Sequence, residues 1–297
     1  MSRIKRSVAQ LLGAKIINVA IKISNFASWK DLKTIRKNKI LRNKYIGKSC
    51  YIIGNGPSLK NQDLSLLKDK FVFTVNLATK LSSFSSIQTN IHLLTDLRFL
   101  DFDPDLEDGH AIIEVMKNVN LGSSPIVFLP IKAKCKIEEL GLEKFMDFNY
   151  FKNPLYFDET FSQYVDFSKL VPDFPTVVQS AIMFAYYMGF RKIYLLGCDC
   201  TGFLTLAKSY LNSIDEDCYA YSLSKTDKQR IINTNTKYNS IEAELYSSAK
   251  IFDNYKYINS YLKKKGCDLV NCTDGGLLSK IPRQDFKQSL QESWNFS

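Results

Sequence analysis

The chain has 297 residues, of which 45% are hydrophobic, so it can bury the core of one large domain or two small ones. This composition excludes a disordered or fibrous protein, and no period of 20–50 residues indicates a solenoid. The net charge of +10 is uneven, because residues 1–48 hold 13 Lys and Arg against one acid. The rest carries 27 bases and 29 acids, so a nucleic-acid partner is not indicated.

Residues 1–47 are predicted to form a basic, amphipathic N-terminal arm. Leu12, Ile16, Val19, Ile23 and Phe26 recur at helical spacing on one face. Such a helix can lie on an anionic membrane surface. We therefore expect a cytoplasmic protein that associates peripherally with the inner face of the plasma membrane. Interrupting lysines argue against a membrane span and against a cleaved signal peptide. The alternative is a helix that packs on the protein's own core or on a second subunit of a homo-oligomer.

Beyond the arm, residues 48–297 are predicted to form one α/β domain in which short apolar strands alternate with helices. The predicted strands are 50–53, 71–75, 91–95, 125–129, 192–197 and 268–271, and the predicted helices are 59–68, 107–118, 136–146, 176–189, 240–265 and 283–293. This alternation is typical of a doubly wound, mostly parallel Rossmann-like sheet with helices on both faces. The stretches 150–174 and 198–240 are expected to be insertions that form lids or an acceptor site.

The segment Gly54-Asn55-Gly56-Pro57-Ser58 follows the first strand directly. Two glycines allow close approach of a ligand to the main chain, Pro57 stiffens the loop, and Ser58 can cap a helix. Free backbone N–H groups and the helix dipole would then form an anion site. A tight turn without a ligand is the alternative.

Small and polar residues end the other strands as well. Asn76 follows the second strand, Asp96 the third, Gly197 and Asp199 the fifth, and Asp274 the last. Because ligands of doubly wound sheets bind beyond the carboxyl ends of the strands, this pattern favours one shared site.

Cysteine and histidine give no sign of a metal or redox site. The seven cysteines lie at scattered spacings that fit neither a zinc knuckle nor a CxxC pair, and there are only two histidines. Reduced thiols in a cytoplasmic protein are the simplest interpretation. The segment Asp101-Phe102-Asp103 spells an Asp-x-Asp metal motif, but its acidic, Pro-containing loop makes bound Mg²⁺ or Mn²⁺ an unsupported alternative.

Three blocks of sequence resemble known families. YIIGNGPSLK, TVVQSAIMFAYYMGFRKIYLLGCD and NCTDGG are similar to blocks of the MptE-like family of bacterial surface-glycan clusters, and the first two resemble Campylobacter-type sialyltransferases. The resemblance covers residues 48–285 and implies a GT-A-like variant of the fold. It implies that Gly54–Ser58, Asn76, Thr176, Gly197 and Asp199 bind the nucleotide of a donor sugar.

The resemblance has departures that concern the catalytic groups. In those sialyltransferases the catalytic base is a His that lies after the second block, but no His follows His110 here. They also use tyrosines to stabilise the leaving phosphate, and Thr201 stands at the first of these tyrosine positions. Asp96 is therefore the first candidate base, followed by Asp199 and Asp274, and His92 reads as a core histidine.

The sequence thus predicts an enzyme, a glycosyltransferase that moves a sugar, possibly CMP-linked, onto a lipopolysaccharide or capsule glycan. Its expected partners are a nucleotide-sugar donor, a glycan or glycolipid acceptor and an anionic membrane, with no cofactor. The alternatives are a pyrophosphokinase-like phosphotransferase, which would need Mg-ATP although the chain lacks GxxxxGK[ST], and a non-enzymatic nucleotide-binding protein at the membrane surface.

Overall fold

A computed structural model of the chain describes residues 16–23, 29–104, 106, 109–120, 125–238 and 240–295. The strands of this part are β1 (Ser49–Ile53), β2 (Val72–Val75), β3 (Thr89–Leu93), β4 (Ile126–Pro130), β5 (Phe148–Leu155), β6 (Leu170–Pro172), β7 (Lys192–Leu196) and β8 (Asp268–Asn271). The helices are α1 (residues 16–23), α2 (Trp29–Ile35), α3 (Ala111–Asn120), α4 (Lys134–Glu139), α5 (Val177–Tyr187), α6 (Gly202–Tyr210), α7 (Lys225–Tyr238), α8 (Ile241–Lys264) and α9 (Phe286–Glu292).

The strands form one sheet in the order β6-β5-β4-β3-β2-β1-β7-β8, and every neighbouring pair is parallel. The chain therefore adds strands in one direction from β1 to β6 and then returns to the other side of β1. The order reverses between β1 and β7, which is where ligands of such sheets bind, beyond the carboxyl ends of the strands.

Apolar side chains cover both faces of the sheet. Cys50 and Ile52 of β1 point into the core beneath α5 and α8, whereas Tyr51 and Ile53 point into the core on the opposite face. Tyr51 stacks on Tyr194 of β7 with ring centroids 4.9 Å apart. Strands buried on both faces are characteristic of parallel sheets, and the predicted doubly wound α/β fold is confirmed.

Two features of the predicted element order are wrong. The stretch 150–174 is not an insertion, because β5 and β6 extend the sheet there. The predicted helix 59–68 consists of two short 3₁₀ helices, Pro57–Asn61 and Leu64–Leu67, which are separated by the extended residue Gln62. The predicted insertion 198–240 is largely helical and contains α6 and α7.

Much of the predicted arm belongs to the folded body. Ile35 and Leu41 are buried, and the Asn38 side-chain amide donates to the carbonyls of Tyr150 (2.8 Å) and Phe167 (2.9 Å). The body therefore begins by residue 29, and the boundary predicted at residue 47 lies too late. Leu12 and Phe26 of the predicted apolar face lie outside the described residues.

Helix α1 is held by one polar side chain and turns apolar residues outward. Asn18 is fully buried, where its amide donates to the Tyr156 carbonyl (2.9 Å) and its oxygen accepts from the Tyr156 N–H (2.7 Å). Ile16, Val19 and Ile23 are 59%, 55% and 72% exposed. None of the described helices combines the length and hydropathy of a bilayer span.

Candidate functional site

A cleft of about 1320 Å³ opens beyond the carboxyl ends of β1, β2 and β3. Its walls come from the segments that follow these strands, from the start of α5, and from α6, α7 and α8. Of the residues predicted from sequence, Asn55, Asn76, Asp96 and Thr176 line the cleft. The site therefore lies on the β2–β3 side of the point where the strand order reverses.

Asn55 and Asn76 present unsatisfied polar atoms in this cleft. The Asn55 amide donates to the Val75 carbonyl at 3.2 Å, but the side-chain oxygens of Asn55 and Asn76 are both buried without a hydrogen-bond partner in the described part of the chain. A buried acceptor left unpaired costs about 1–3 kcal/mol. Each oxygen would therefore gain free energy from an N–H or O–H group that reached it.

Backbone strain is found in the same cleft. Asn76 and Cys200 both line it and adopt left-handed φ angles of 46° and 56°. A residue other than glycine in this region costs about 1–3 kcal/mol and is more frequent at binding sites. Asn76 therefore combines strain with an unsatisfied side chain, which makes it the strongest single candidate for a ligand contact.

The glycine loop is packed against β7 and its amides are used within the protein. Gly54 N–H donates to the Leu196 carbonyl (2.8 Å) and Gly56 N–H to the Gly197 carbonyl (2.9 Å). The Ser58 N–H donates to Asp199 Oδ1 at 3.3 Å. The predicted anion site formed by these three amides is therefore wrong in its mechanism, because a carboxylate of the protein already occupies the start of the short helix.

Asp199 anchors this loop from a buried position. Its Oδ2 accepts from the Ser58 hydroxyl at 2.8 Å, and its side chain is not part of the cleft wall. Burial raises the pKa of Asp199, and the two hydrogen bonds from Ser58 oppose that shift. Since the carboxylate is engaged behind the cleft, the structure does not place Asp199 as a base or as a ligand of the donor.

The cleft wall includes only one of three further predicted residues, Gly197, Pro57 and Thr176. Gly197 has a φ of 59°, and a Cβ there would meet the Leu59 side chain at 2.4 Å, so its role is one of packing. Pro57 begins the first 3₁₀ helix and does not line the cleft. Thr176 does line it, and its hydroxyl caps α5 by accepting from the Gln179 N–H at 3.3 Å.

Only one of the three candidate bases faces the cleft. Asp96 lines it, and both of its oxygens accept from the Arg98 guanidinium, at 2.5 Å for Oδ2 to Nη2. Asp274 is exposed on the loop after β8 and lies outside the cleft wall. Asp96 thus has the right position, but its lone pairs are engaged until Arg98 finds another partner.

Sequence reasoning missed a group of ion pairs that connects three walls of the cleft. Lys80 pairs with Asp227 of α7 at 3.4 Å, and Arg230 of α7 pairs with Asp103 at 2.7 Å and Asp227 at 3.6 Å. Asp103 is the second acid of the Asp-x-Asp segment. Among the described residues no group of three His, Cys, Asp or Glu is placed to hold a metal, and Asp103 is engaged by Arg230.

Tyr219 and Tyr221 were missed because they lie in the predicted insertion. Their rings stack with centroids 5.2 Å apart and both line the cleft. The Ala220 N–H between them donates to the Asn55 carbonyl at 3.1 Å, which holds this segment over the end of β1. Burial raises the pKa of both phenols, so they remain protonated and can donate hydrogen bonds.

The remaining titratable candidates are structural. His92 is fully buried in β3 beside the Thr74 hydroxyl (2.8 Å), and burial lowers its pKa to about 3. Burial raises the pKa of Cys200 to about 12, so this thiol is not an activated nucleophile. All seven cysteines are free, as predicted.

Comparison with known proteins gives a family match and structural matches. A family model described as "6-hydroxymethylpterin diphosphokinase MptE-like" matches residues 24–202, more than half of the chain. One similar solved structure is the sialyltransferase CstII from Campylobacter jejuni, described in complex with a substrate analogue, cytidine-5'-monophosphate. The two sequences are 14% identical, and the structures align with a TM-score of 0.42 over 80% of this chain and 85% of that chain. This structural similarity is too low to carry an argument about activity. No curated protein matches the chain.

Proposed function

The chain belongs to the MptE-like family, and from this premise we propose that it is a glycosyltransferase that uses a nucleotide-activated sugar. Its product is a bacterial surface glycan, a lipopolysaccharide or capsule, extended on a membrane-bound acceptor. The observation that carries the proposal is the pair of buried, unsatisfied side-chain oxygens of Asn55 and Asn76 in the cleft. The motif resemblance of residues 50–59 and 176–199 to nucleotide-sugar enzymes supports it.

The cleft offers groups for each part of such a donor. Asn55 and Asn76 accept hydrogen bonds from the base or ribose, while Arg98, Lys80 and Arg230 contact the phosphate. Charge-assisted bonds from guanidinium groups to phosphate are about twice as strong as neutral ones. Positioning and stabilisation of the leaving phosphate then supply most of the rate.

Binding of the phosphate also releases the base. Once Arg98 pairs with the donor phosphate, the Asp96 carboxylate is free to accept the proton of the acceptor hydroxyl. The hydroxyl oxygen forms a bond to the anomeric carbon, the bond from this carbon to the phosphate oxygen breaks, and its electron pair leaves with the phosphate. In this scheme Asp96 changes partners during the reaction rather than standing free beforehand.

Substitution of the two asparagines tests the donor site. We expect Asn76→Ala and Asn55→Ala to weaken binding of the best nucleotide sugar about 10- to 100-fold, since each removes one buried hydrogen bond worth about 1–3 kcal/mol. Calorimetry against a panel of CMP-, UDP- and GDP-sugars measures this. Asn259→Ala is the control, because that side chain donates to the Lys280 carbonyl away from the cleft. If the wild-type protein binds none of these nucleotide sugars, the proposal is wrong.

A pterin diphosphokinase is the second candidate, and the description of the matching family favours it. Such an enzyme transfers diphosphate from Mg-ATP, and the same panel extended with ATP in the presence and absence of Mg²⁺ separates the two. Binding of Mg-ATP alone would favour the phosphotransferase. Binding of a nucleotide sugar that stays intact in the presence of native glycolipid would favour a non-enzymatic role.

A location at the inner face of the plasma membrane is part of the proposal. Described residues between 16 and 48 contain nine Lys and Arg and one acid, Asp31, which pairs with Lys152 at 2.8 Å. Beside these charges α1 exposes Ile16, Val19 and Ile23. Apolar side chains flanked by bases bind anionic bilayers, to which each base contributes about 1 kcal/mol.

The double variant Val19→Asp, Ile23→Asp tests this location. We expect it to lower binding to vesicles with 30% anionic lipid at least tenfold, which is an order-of-magnitude figure for the burial and charge lost. Co-sedimentation with the vesicles measures the loss. Leu66→Asp, at an exposed leucine of the body, is the matched control and should bind as the wild type does. Deletion of residues 1–47 is unsuitable, because it removes the buried Ile35 and Leu41. Equal binding by the double variant and the wild type would contradict a role for α1.

A further inference from the structure

Four apolar side chains form one part of the cleft wall. The end beyond β1, β2 and β3, which we call the polar end, holds Asn55, Asn76 and Arg98 beside Phe99 and Phe102. On α6 and α8 the cleft is lined by Phe203, Leu206, Ile251 and Phe252, with Glu244 and Ser248 of α8 nearby in the sequence. The four apolar side chains offer no hydrogen bond to a nucleotide or a phosphate.

The cleft is also larger than one small ligand requires. Pockets for small molecules usually enclose about 300–1000 Å³, whereas this cleft encloses about 1320 Å³. A donor held by the polar end therefore leaves room beside Thr176 and α8 for part of a second substrate. The Ile251 carbonyl accepts from the buried Gln179 amide at 3.0 Å, which fixes α8 against the start of α5. The apolar wall is thus a fixed part of the fold.

Exposed apolar residues lie on the same two helices as this wall. Leu204 follows Phe203 on α6, and Leu245 and Tyr246 lie one to two turns before Ile251 on α8, and all three are exposed. An exposed group of large apolar side chains next to a cleft indicates a surface that is covered in use.

This exposed group lies near helix α1. Tyr246 is close enough to Tyr156 for the two phenols to interact electrostatically. The backbone of Tyr156 in turn forms two hydrogen bonds with the side chain of Asn18 in α1. Helix α1, with its exposed apolar residues and the basic residues that follow it in the sequence, and the exposed Tyr246 of α8 thus both lie near Tyr156. An anionic bilayer complements that combination of apolar and basic groups.

We propose that the wall formed by Phe203, Leu206, Ile251 and Phe252 is a subsite for the hydrocarbon chain of a membrane-bound acceptor. The proposal rests on the transferase function and specifies its acceptor as a lipid-linked glycan rather than a free sugar. The chain enters past Leu245 and Tyr246 from the bilayer surface on which α1 lies. Its head group then reaches Asp96 and the donor at the polar end.

Alkyl glycosides test the subsite without the native acceptor. We expect octyl β-glucoside, used below its micelle concentration, to bind at least 50-fold more tightly than methyl β-glucoside, since each buried methylene contributes about fourfold in affinity. Phe252→Asn and, separately, Phe203→Asn should each lower octyl glucoside affinity about tenfold or more. Phe145→Asn, at an exposed phenylalanine far from the cleft in sequence, is the matched control and should change nothing. Isothermal calorimetry gives all of these affinities.

The outcomes separate this proposal from the transferase function. Equal binding of the two glucosides, or octyl glucoside binding that neither cleft variant weakens, overturns the subsite. Nucleotide-sugar affinity of Phe252→Asn and Phe203→Asn should equal that of the wild type. If octyl glucoside binds at the cleft while no nucleotide sugar binds, the subsite stands and the proposed transfer reaction fails.

Discussion

Gly56→Ala is expected to destabilise the protein by about 4 kcal/mol, the largest effect we predict for a single methyl group. A Cβ at this position would lie 1.7 Å from Asp199 Oδ2 and 2.7 Å from the Gly197 carbonyl oxygen. The φ of Gly56 is −69°, which any residue adopts, so the cost is steric. To admit the methyl group, Asp199 must release Ser58 and the backbone must also shift, and overpacking and lost charged hydrogen bonds each cost about 1–3 kcal/mol.

Urea unfolding at neutral pH, followed by circular dichroism, measures this loss. Gly202→Ala is the matched control, since nothing lies within 4 Å of its added Cβ and α6 begins there. We expect the control to be neutral or slightly stabilising because alanine favours helices. A Gly56→Ala protein as stable as the control would show that the glycine loop does not pack on Asp199.

The second large effect is a loss of stability in acid that His92 causes. Burial lowers the pKa of this imidazole in the folded state to about 3, whereas the unfolded value is about 6.5. Above the pKa of the unfolded state, His92 is neutral in both states and costs the fold nothing. As the pH falls from about 6.5 towards 3, the unfolded state takes up a proton that the folded state does not, and the free energy of unfolding decreases. Linkage gives a loss of about 3 kcal/mol between pH 7 and pH 4.

The difference between wild type and His92→Gln isolates this contribution from the carboxylates. Glutamine does not titrate and can still hydrogen-bond the Thr74 hydroxyl that contacts His92. We expect the variant to be less stable than the wild type at pH 7 and the gap to narrow or reverse by pH 4, as urea unfolding at a series of pH values will show. Parallel curves for the two proteins would mean that His92 is not buried in its neutral form.

The sheet could be predicted from the sequence because its inner strands are short apolar runs. Residues 50–53, 71–75 and 192–197 are bounded by polar or small residues, which is what strands buried on both faces require. We did not predict β5, because Asn149, Lys152 and Asn153 interrupt its apolar pattern. At its position near the sheet edge such residues reach solvent or partners from other elements, and local sequence does not reveal this.

Asn55, Asn76 and Asp96 were found as cleft residues by their positions after strands, and Thr176 through the family resemblance. The place of Asp199 was not predictable, because it depends on a contact with Ser58 across 141 residues of sequence. The same holds for Arg230 and Asp103, whose pairing requires the packing of α7 over the cleft. Local patterns indicate which strand end carries a polar group, but long-range packing decides which groups face the ligand.

The position of β1 in the middle of the sheet has a consequence for synthesis on the ribosome. β1 pairs on one side with β2, about twenty residues later, but on its other side with β7, which is reached only at residue 192. Until then the nascent chain carries the unpaired edge of a strand whose five residues are all buried in the finished fold, and such an edge promotes aggregation. We therefore expect fragments that end before β7 to depend on chaperones, and fragments that end after Leu196 to lose much of that dependence.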